Sequence, residues 1–235
     1  MNKGIIFDKD GTLIQLDCVW YKIVHCVLDD IFQMYPDETS KRNDYLKVIG
    51  MGDNDFESTS LLACQTNYFI AAAWFSLLEN HNVNKENFIH DVCALFKKHS
   101  TADDLVFTEV EGAKETLKYL KDHKYVIGVV TADDIDAAIH SLKMTGLYDY
   151  VDFLGADDGV HKTKPESDFY HIFKEKFSLA EEDVFMVGDT LTDVKFARNS
   201  NIKVVGVLSG ASKKEDLEGE ADYILDSMKD ISEVL

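Results

Sequence analysis

In Lys3-Gly4-Ile5-Ile6-Phe7-Asp8-Lys9-Asp10-Gly11-Thr12 an apolar run stops abruptly at two carboxylates one residue apart. A short continuous apolar run suits a strand buried on both faces, as in a parallel sheet. Two carboxylates just past its end repel each other unless a cation stands between them. Gly11 permits a tight turn that brings backbone amides toward the same point.

The same plan recurs downstream, in apolar runs at 125–130, 151–154, 184–187, 204–207 and 223–225. Between them lie helical spacings: Ala113, Leu117 and Leu120, then Ile135, Ala138 and Leu142. Pro165 is expected to open a helix carrying Phe169, Ile172 and Phe173. Alternating strands and helices imply an open α/β sheet. Residues 16–103 differ: they hold no convincing strand, and 18–34, 58–79 and 85–99 read as helices, with 68–78 buried. The expectation is an α/β, Rossmann-like parallel-sheet core from residues 1–15 and 104–235, interrupted after its first strand by an all-helical domain at 16–103.

Of 235 residues, 24 are basic and 43 acidic, for a net charge of −19. That balance argues against nucleic acid as a partner, because a polyanion needs clustered cations. With 46% hydrophobic residues there is ample material for a core. Arg42 and Arg198 are the only arginines, so a phosphate ligand must be met by backbone amides, lysine or a metal. Cys18, Cys26, Cys64 and Cys93 show no metal-ligand spacing and read as reduced thiols. The N-terminal run is too short for a signal-peptide core, and the apolar stretch 60–78 is broken by polar residues. A cytoplasmic protein without membrane contact is expected, as monomer or homodimer.

Four stretches follow strands, where open parallel sheets bind their ligands. The first holds Asp8 and Asp10. The second, Val130-Thr131-Ala132-Asp133, offers a hydroxyl that also reads as the cap of the next helix. The third is Lys164-Pro165, a lysine able to neutralise a bound phosphate, with Lys162 as rival. The fourth, Gly188-Asp189-Thr190-Leu191-Thr192-Asp193, places two carboxylates at a helix start, and capping explains only one of them. Such oxygens suit Mg²⁺, a hard cation that keeps positions open for phosphate.

In this order the four stretches resemble the motifs of the haloacid dehalogenase-like hydrolase superfamily, in the branch of phosphoglycolate phosphatases and β-phosphoglucomutases with an α-helical cap. The resemblance implies a Mg²⁺-dependent phosphatase acting on a small phosphomonoester, phosphoglycolate-like or a sugar phosphate. It implies Asp8 as nucleophile forming an aspartyl-phosphate and Asp10 as general acid and base. Asp8, the Asp10 carbonyl, Asp189 and Asp193 would serve the metal. Gly11, Thr12, Thr131, Ala132 and Lys164 would hold the phosphate. The helical segment would close over the site as the cap. Asp10 argues against dehalogenation, since halide leaves without protonation. A phosphomutase or phosphotransferase of the same fold, and a non-catalytic phosphate-binding or receiver-like protein, remain the alternatives. Arg42, Lys22 and Lys47 are the helical segment's candidates for a substrate carboxylate, and Trp20 and Tyr21 for lining an opening.

Overall fold

The structure, a computed structural model, describes residues 3–52, 57–79 and 82–235, with the side chains of residues 17 and 18 outside the description. Met1, Asn2 and the Cys18 thiol therefore lie outside the described residues. The chain divides into two compact units, one of Met1–Leu16 with Phe107–Leu235, the other of Asp17–Val106. Strand β1 (Gly4–Phe7) leads into the helices of the second unit: α1 (Asp17–Met34), α2 (Arg42–Val48), α3 (Leu61–Cys64), α4 (Asn67–Phe75) and α5 (Lys85–Ser100). The chain returns through α6 (Ala113–Asp122), β2 (Val126–Asp134), α7 (Ile135–Met144), β3 (Phe153–Asp157) and α8 (Asp168–Phe177). It ends with β4 (Val184–Gly188), α9 (Leu191–Asn199), β5 (Lys203–Val207), α10 (Lys214–Leu217) and β6 (Tyr223–Leu225).

In the first unit the strands pair in parallel, in the order β3-β2-β1-β4-β5-β6. Phe7 is in register with Val129 on one side and Val187 on the other, so the carboxyl ends of the three central strands lie together. Successive side chains alternate between faces. Ile5, Phe7, Ile127, Val129 and Val187 pack against Ala113, Leu117 and Leu120 of α6. Ile6, Val130, Met186 and Val204 face Phe169 and Phe173 of α8 and Phe196 of α9. Burial on both faces explains why these strands read as unbroken apolar runs.

Local details depart from the sequence expectations. Pro165 does not open α8: Glu166 N–H donates to the Thr163 carbonyl at 3.0 Å, and the helix starts only at Asp168. A turn fits, because the residue before a proline is biased away from helical geometry. Val151 belongs to the turn before β3, donating to the Tyr148 carbonyl at 3.0 Å, so the strand starts at Phe153. Thr131 does not cap α7, because β2 runs on to Asp134. The Asp134 carboxylate takes the cap position and accepts from the amides of Asp136 and Ala137.

In the second unit, α1 buries Ile23, Val24, Val27, Leu28 and Ile31, and α5 buries Phe88, Ile89, Val92 and Phe96. These stripes have the spacing of helices that bury one face. Trp74 donates its indole N–H to the Tyr45 carbonyl at 2.8 Å and stacks on Phe96 at 5.4 Å. The expected helix 58–79 is two helices, because Gln65 and Thr66 take extended backbone between α3 and α4. Only one side of α4 is buried: Ile70, Ala71 and Trp74 face inward, while Tyr68 and Phe69 are each 50% exposed. Among the described residues, no helix is long and apolar enough to cross a membrane.

Candidate active site

Asp8 stands one residue past β1, its amide donating to the Val187 carbonyl at 2.8 Å. Lys164 comes from the turn before α8 and is buried. Its ammonium donates to Oδ1 of Asp8 and to Oδ1 of Asp193, both at 2.6 Å. The rival Lys162 is exposed. Asp193 is fixed on its other oxygen, where Oδ2 accepts from the Thr190 amide at 3.0 Å and the Thr190 hydroxyl at 2.8 Å. That reciprocal N-terminal cap of α9 accounts for one of the two carboxylates after β4.

Asp189 is the other, fully buried at the end of β4. Its Oδ1 accepts from the Thr12 hydroxyl at 3.1 Å and its Oδ2 from the Ala211 amide at 2.8 Å. Among the described residues it has no ion-pair partner. The backbone crowds in to make this possible. A Cβ on Gly210 would stand 1.9 Å from Oδ2 of Asp189. A Cβ on Gly11, whose φ is +78°, would stand 2.5 Å from the same oxygen. The Gly11 amide itself donates to the Ile14 carbonyl at 2.7 Å, so Gly11 enters the site as a turn former.

Asp8, Asp189 and Asp193 each offer an oxygen within 4.8 Å of the others. Burial pushes the Asp8 carboxyl up to about 7, Lys164 opposing and Asp193 adding to the rise. Burial, then the charges of Asp8 and Asp193, hold Asp189 well above the ordinary carboxylate range. Burial works against the charged form of Lys164, but Asp193 and Asp8 outweigh it and raise its pKa. One ammonium thus stands among three buried carboxylates and pairs with only two of them, Asp8 and Asp193. A donor set of hard oxygens with an excess of negative charge fits a divalent cation.

A second buried ion cluster adjoins the first. Lys9, 1% exposed, lies 2.7 Å from Asp10 Oδ2 and 3.3 Å from Asp133 Oδ2. Burial raises Asp133 to about 6, with Lys9 opposing and Asp10 adding. Thr131 is buried on β2, its hydroxyl accepting from the Asp133 amide at 3.2 Å. Ala132 lies where the β2–β3 register shifts between Val130 and Asp134. Asp10 is not among the three clustered carboxylates. Sequence reasoning passed over Lys9, Asp133, Thr190 and the loop Ser209-Gly210-Ala211. A signal for that loop was present, in small residues just after an apolar strand.

The candidates of the helical unit have other partners. Arg42 pairs with Asp29 and lies over the Phe32 ring at 5.0 Å, and Lys22 pairs with Asp104 at 2.7 Å. Lys47 is exposed. Trp20 is half-buried, and the Tyr21 hydroxyl donates to the Gly52 carbonyl at 3.0 Å.

A family model described as haloacid dehalogenase-like hydrolase matches residues 5–207. The chain is 26% identical over 234 residues to pyrophosphatase PpaX of Halalkalibacterium halodurans, covering 98% of this chain and 95% of the relative. It is 28% identical over 229 residues to PpaX of Bacillus velezensis, covering 97% and 94%. Among solved structures, a predicted phosphoglycolate phosphatase from Haemophilus somnus superposes with a TM-score of 0.66 at 20% identity, covering 99% of this chain and 97% of that one. A haloacid dehalogenase-like family hydrolase from Streptococcus pneumoniae gives 0.67 at 18%, covering 99% and 98%.

Proposed function

The chain belongs to the haloacid dehalogenase-like hydrolase family, and from that premise we propose that it is a Mg²⁺-dependent phosphatase that hydrolyses a small phosphate ester through an aspartyl-phosphate on Asp8. One observation carries this reading: Asp8 after β1, Lys164 before α8, and Asp189 and Asp193 at the β4–α9 junction converge into one buried charge cluster.

In the first step an Asp8 oxygen bonds to phosphorus as the ester oxygen leaves, and Asp10 gives that oxygen a proton. In the second, water bonds to phosphorus, the Asp8–phosphorus bond breaks, and Asp10 takes the water's proton. Splitting one displacement into two is the advantage of covalent catalysis, and such proton transfer contributes ~10²–10⁴ in rate. Asp8, Asp189 and Asp193, with the Asp10 carbonyl, are the residues that would hold Mg²⁺. The ion supplies positive charge that keeps Asp8 ionised and offsets repulsion between it and an anionic phosphate. Lys164 brings a second positive charge beside the nucleophile, fixed by Asp193. Thr131 and the Ala132 amide, on the neighbouring strand, are the proposed contacts for the non-bridging oxygens.

The pyrophosphatase relatives add pyrophosphate to the substrate classes worth offering. The test is phosphate release from phosphoglycolate, sugar phosphates and pyrophosphate, with Mg²⁺ and with chelator, using Asp8→Asn as blank. Release that requires Mg²⁺ and disappears in the variant supports the reading, and the rank order of substrates identifies the class. No release from any of them sinks it.

A further inference from the structure

Two buried lysines divide four of the acidic groups of this site between them. Lys164 serves Asp8 and Asp193. Lys9 serves Asp10 and Asp133, reaching Asp10 Oδ1 at 2.8 Å and Oδ2 at 2.7 Å, and Asp133 Oδ2 at 3.3 Å. The Lys9 side chain is 1% exposed and that of Asp133 5%, against 16% for Asp10. An ammonium is seldom so deeply buried without paired charge, because desolvation is costly. Lys9 also has a fixed anchor: Asp133 Oδ1 accepts from the Asp134 amide at 3.0 Å, at the root of α7. The chain of contacts therefore runs from the end of β2, through Asp133 and Lys9, to both oxygens of Asp10.

We propose that Lys9, anchored by Asp133, is a positioning residue that holds the Asp10 carboxyl group in the orientation proton transfer requires. This rests on the reading of Asp10 as the proton-transfer group. Asp10 sits at the start of a turn and its side chain has two free torsions, so nothing in its own backbone fixes the direction of its oxygens. Contact from one ammonium to both oxygens, with that ammonium tied to a second element, removes this freedom. Misplacing a reacting group by ~1 Å can cost about a hundredfold in rate.

The positioning role makes a claim that a merely structural ion pair does not. Protonation of the leaving oxygen matters greatly for a strongly basic alkoxide and little for p-nitrophenolate. Loss of Asp10 orientation therefore slows alkyl phosphates selectively. The experiment compares kcat/KM for p-nitrophenyl phosphate and for the best alkyl phosphate substrate, in Mg²⁺, across the full-length wild type, Lys9→Met, Lys9→Met/Asp133→Asn and Asp10→Asn. The double variant removes the buried Asp133 carboxylate together with the ammonium that pairs with it, and provides the comparison if Lys9→Met alone is unstable. Both Lys9 variants should lose about tenfold or more on the alkyl ester beyond any loss on p-nitrophenyl phosphate, in the same sense as Asp10→Asn. Equal losses on the two esters, or native rates on both, overturn the role of Lys9. If instead Asp10→Asn loses equally on both, or the wild type cleaves neither, the reading of Asp10 falls and takes the role of Lys9 with it.

Discussion

The ammonium of Lys164 lies 2.6 Å from Oδ1 of Asp8, although the two residues are 156 positions apart. β1 delivers the carboxylate and the turn before α8 delivers the lysine, and both are shut away from water. Lys164→Met therefore leaves Asp8 and Asp193 buried together with no ammonium. Breaking a buried pair from one side costs about 3–5 kcal/mol, so denaturant unfolding of the metal-free variant should show a loss of that order. Phosphatase activity should fall by about a hundredfold or more. Lys162→Met, at the exposed neighbour, should leave both measurements unchanged.

Asp8→Asn removes the proposed nucleophile while keeping its shape. Turnover should fall by at least about a thousandfold. Acid-quenched samples of the wild type should carry label from a radioactive phosphate ester, and samples of the variant should carry none. Label retained by the variant would place the covalent bond elsewhere.

The buried carboxylates set an unusual pH dependence for the metal-free protein. Asp8 stands at about 7 when folded against an ordinary value of 3.8, and Asp133 at about 6. Between pH 4 and 7 the folded chain thus holds protons that the unfolded chain has released, and stability falls as pH rises. The contribution is complete below about pH 4 and gone above about pH 7. Chemical denaturation in chelator should give lower stability at pH 8 than at pH 5, by a few kcal/mol, since each tenfold change in proton affinity is worth about 1.4 kcal/mol. Adding Mg²⁺ at pH 8 should raise it again by mass action. No response to Mg²⁺ at pH 8 would argue against the metal site.

Gly210→Ala tests how tightly the backbone holds Asp189. The new methyl would stand 1.9 Å from Oδ2 of Asp189, so either the loop or the carboxylate must move. Loss of the Ala211 amide bond to that carboxylate should weaken Mg²⁺ binding by about 10- to 100-fold, measured by calorimetry. Unchanged affinity would show that the loop relaxes without disturbing Asp189.

Much of the fold was legible because burial on both faces leaves a strong mark in sequence. The apolar runs ending at Phe7 and at Val187 stood out, and the carboxylates after them could be recognised as unsatisfied by local structure alone. Boundaries set by a single competing hydrogen bond were not legible. Whether Thr131 or Asp134 caps α7 depends on how far β2 continues, which tertiary pairing with β3 decides. Lys9 was hidden for a related reason. A lysine between two aspartates reads as a solvated charge, and only the approach of β2 shows that Asp133 helps to bury it.

The central place of β1 has a consequence for how the chain is made. Gly4 pairs with Val126 on one side and Val184 on the other, about 120 and 180 residues downstream. During synthesis the strand leading to Asp8 waits with both edges open while the whole helical unit emerges, and with one edge open until β4 follows. At translation rates of about 5–20 residues per second that wait lasts roughly ten seconds or more. Unpaired apolar strands are prone to pair with other chains, so this is the interval in which the nascent chain is most open to mispairing. The same delay means that no fragment ending before β4 contains Asp189 and Asp193, so the three-carboxylate cluster assembles only when the chain is nearly complete.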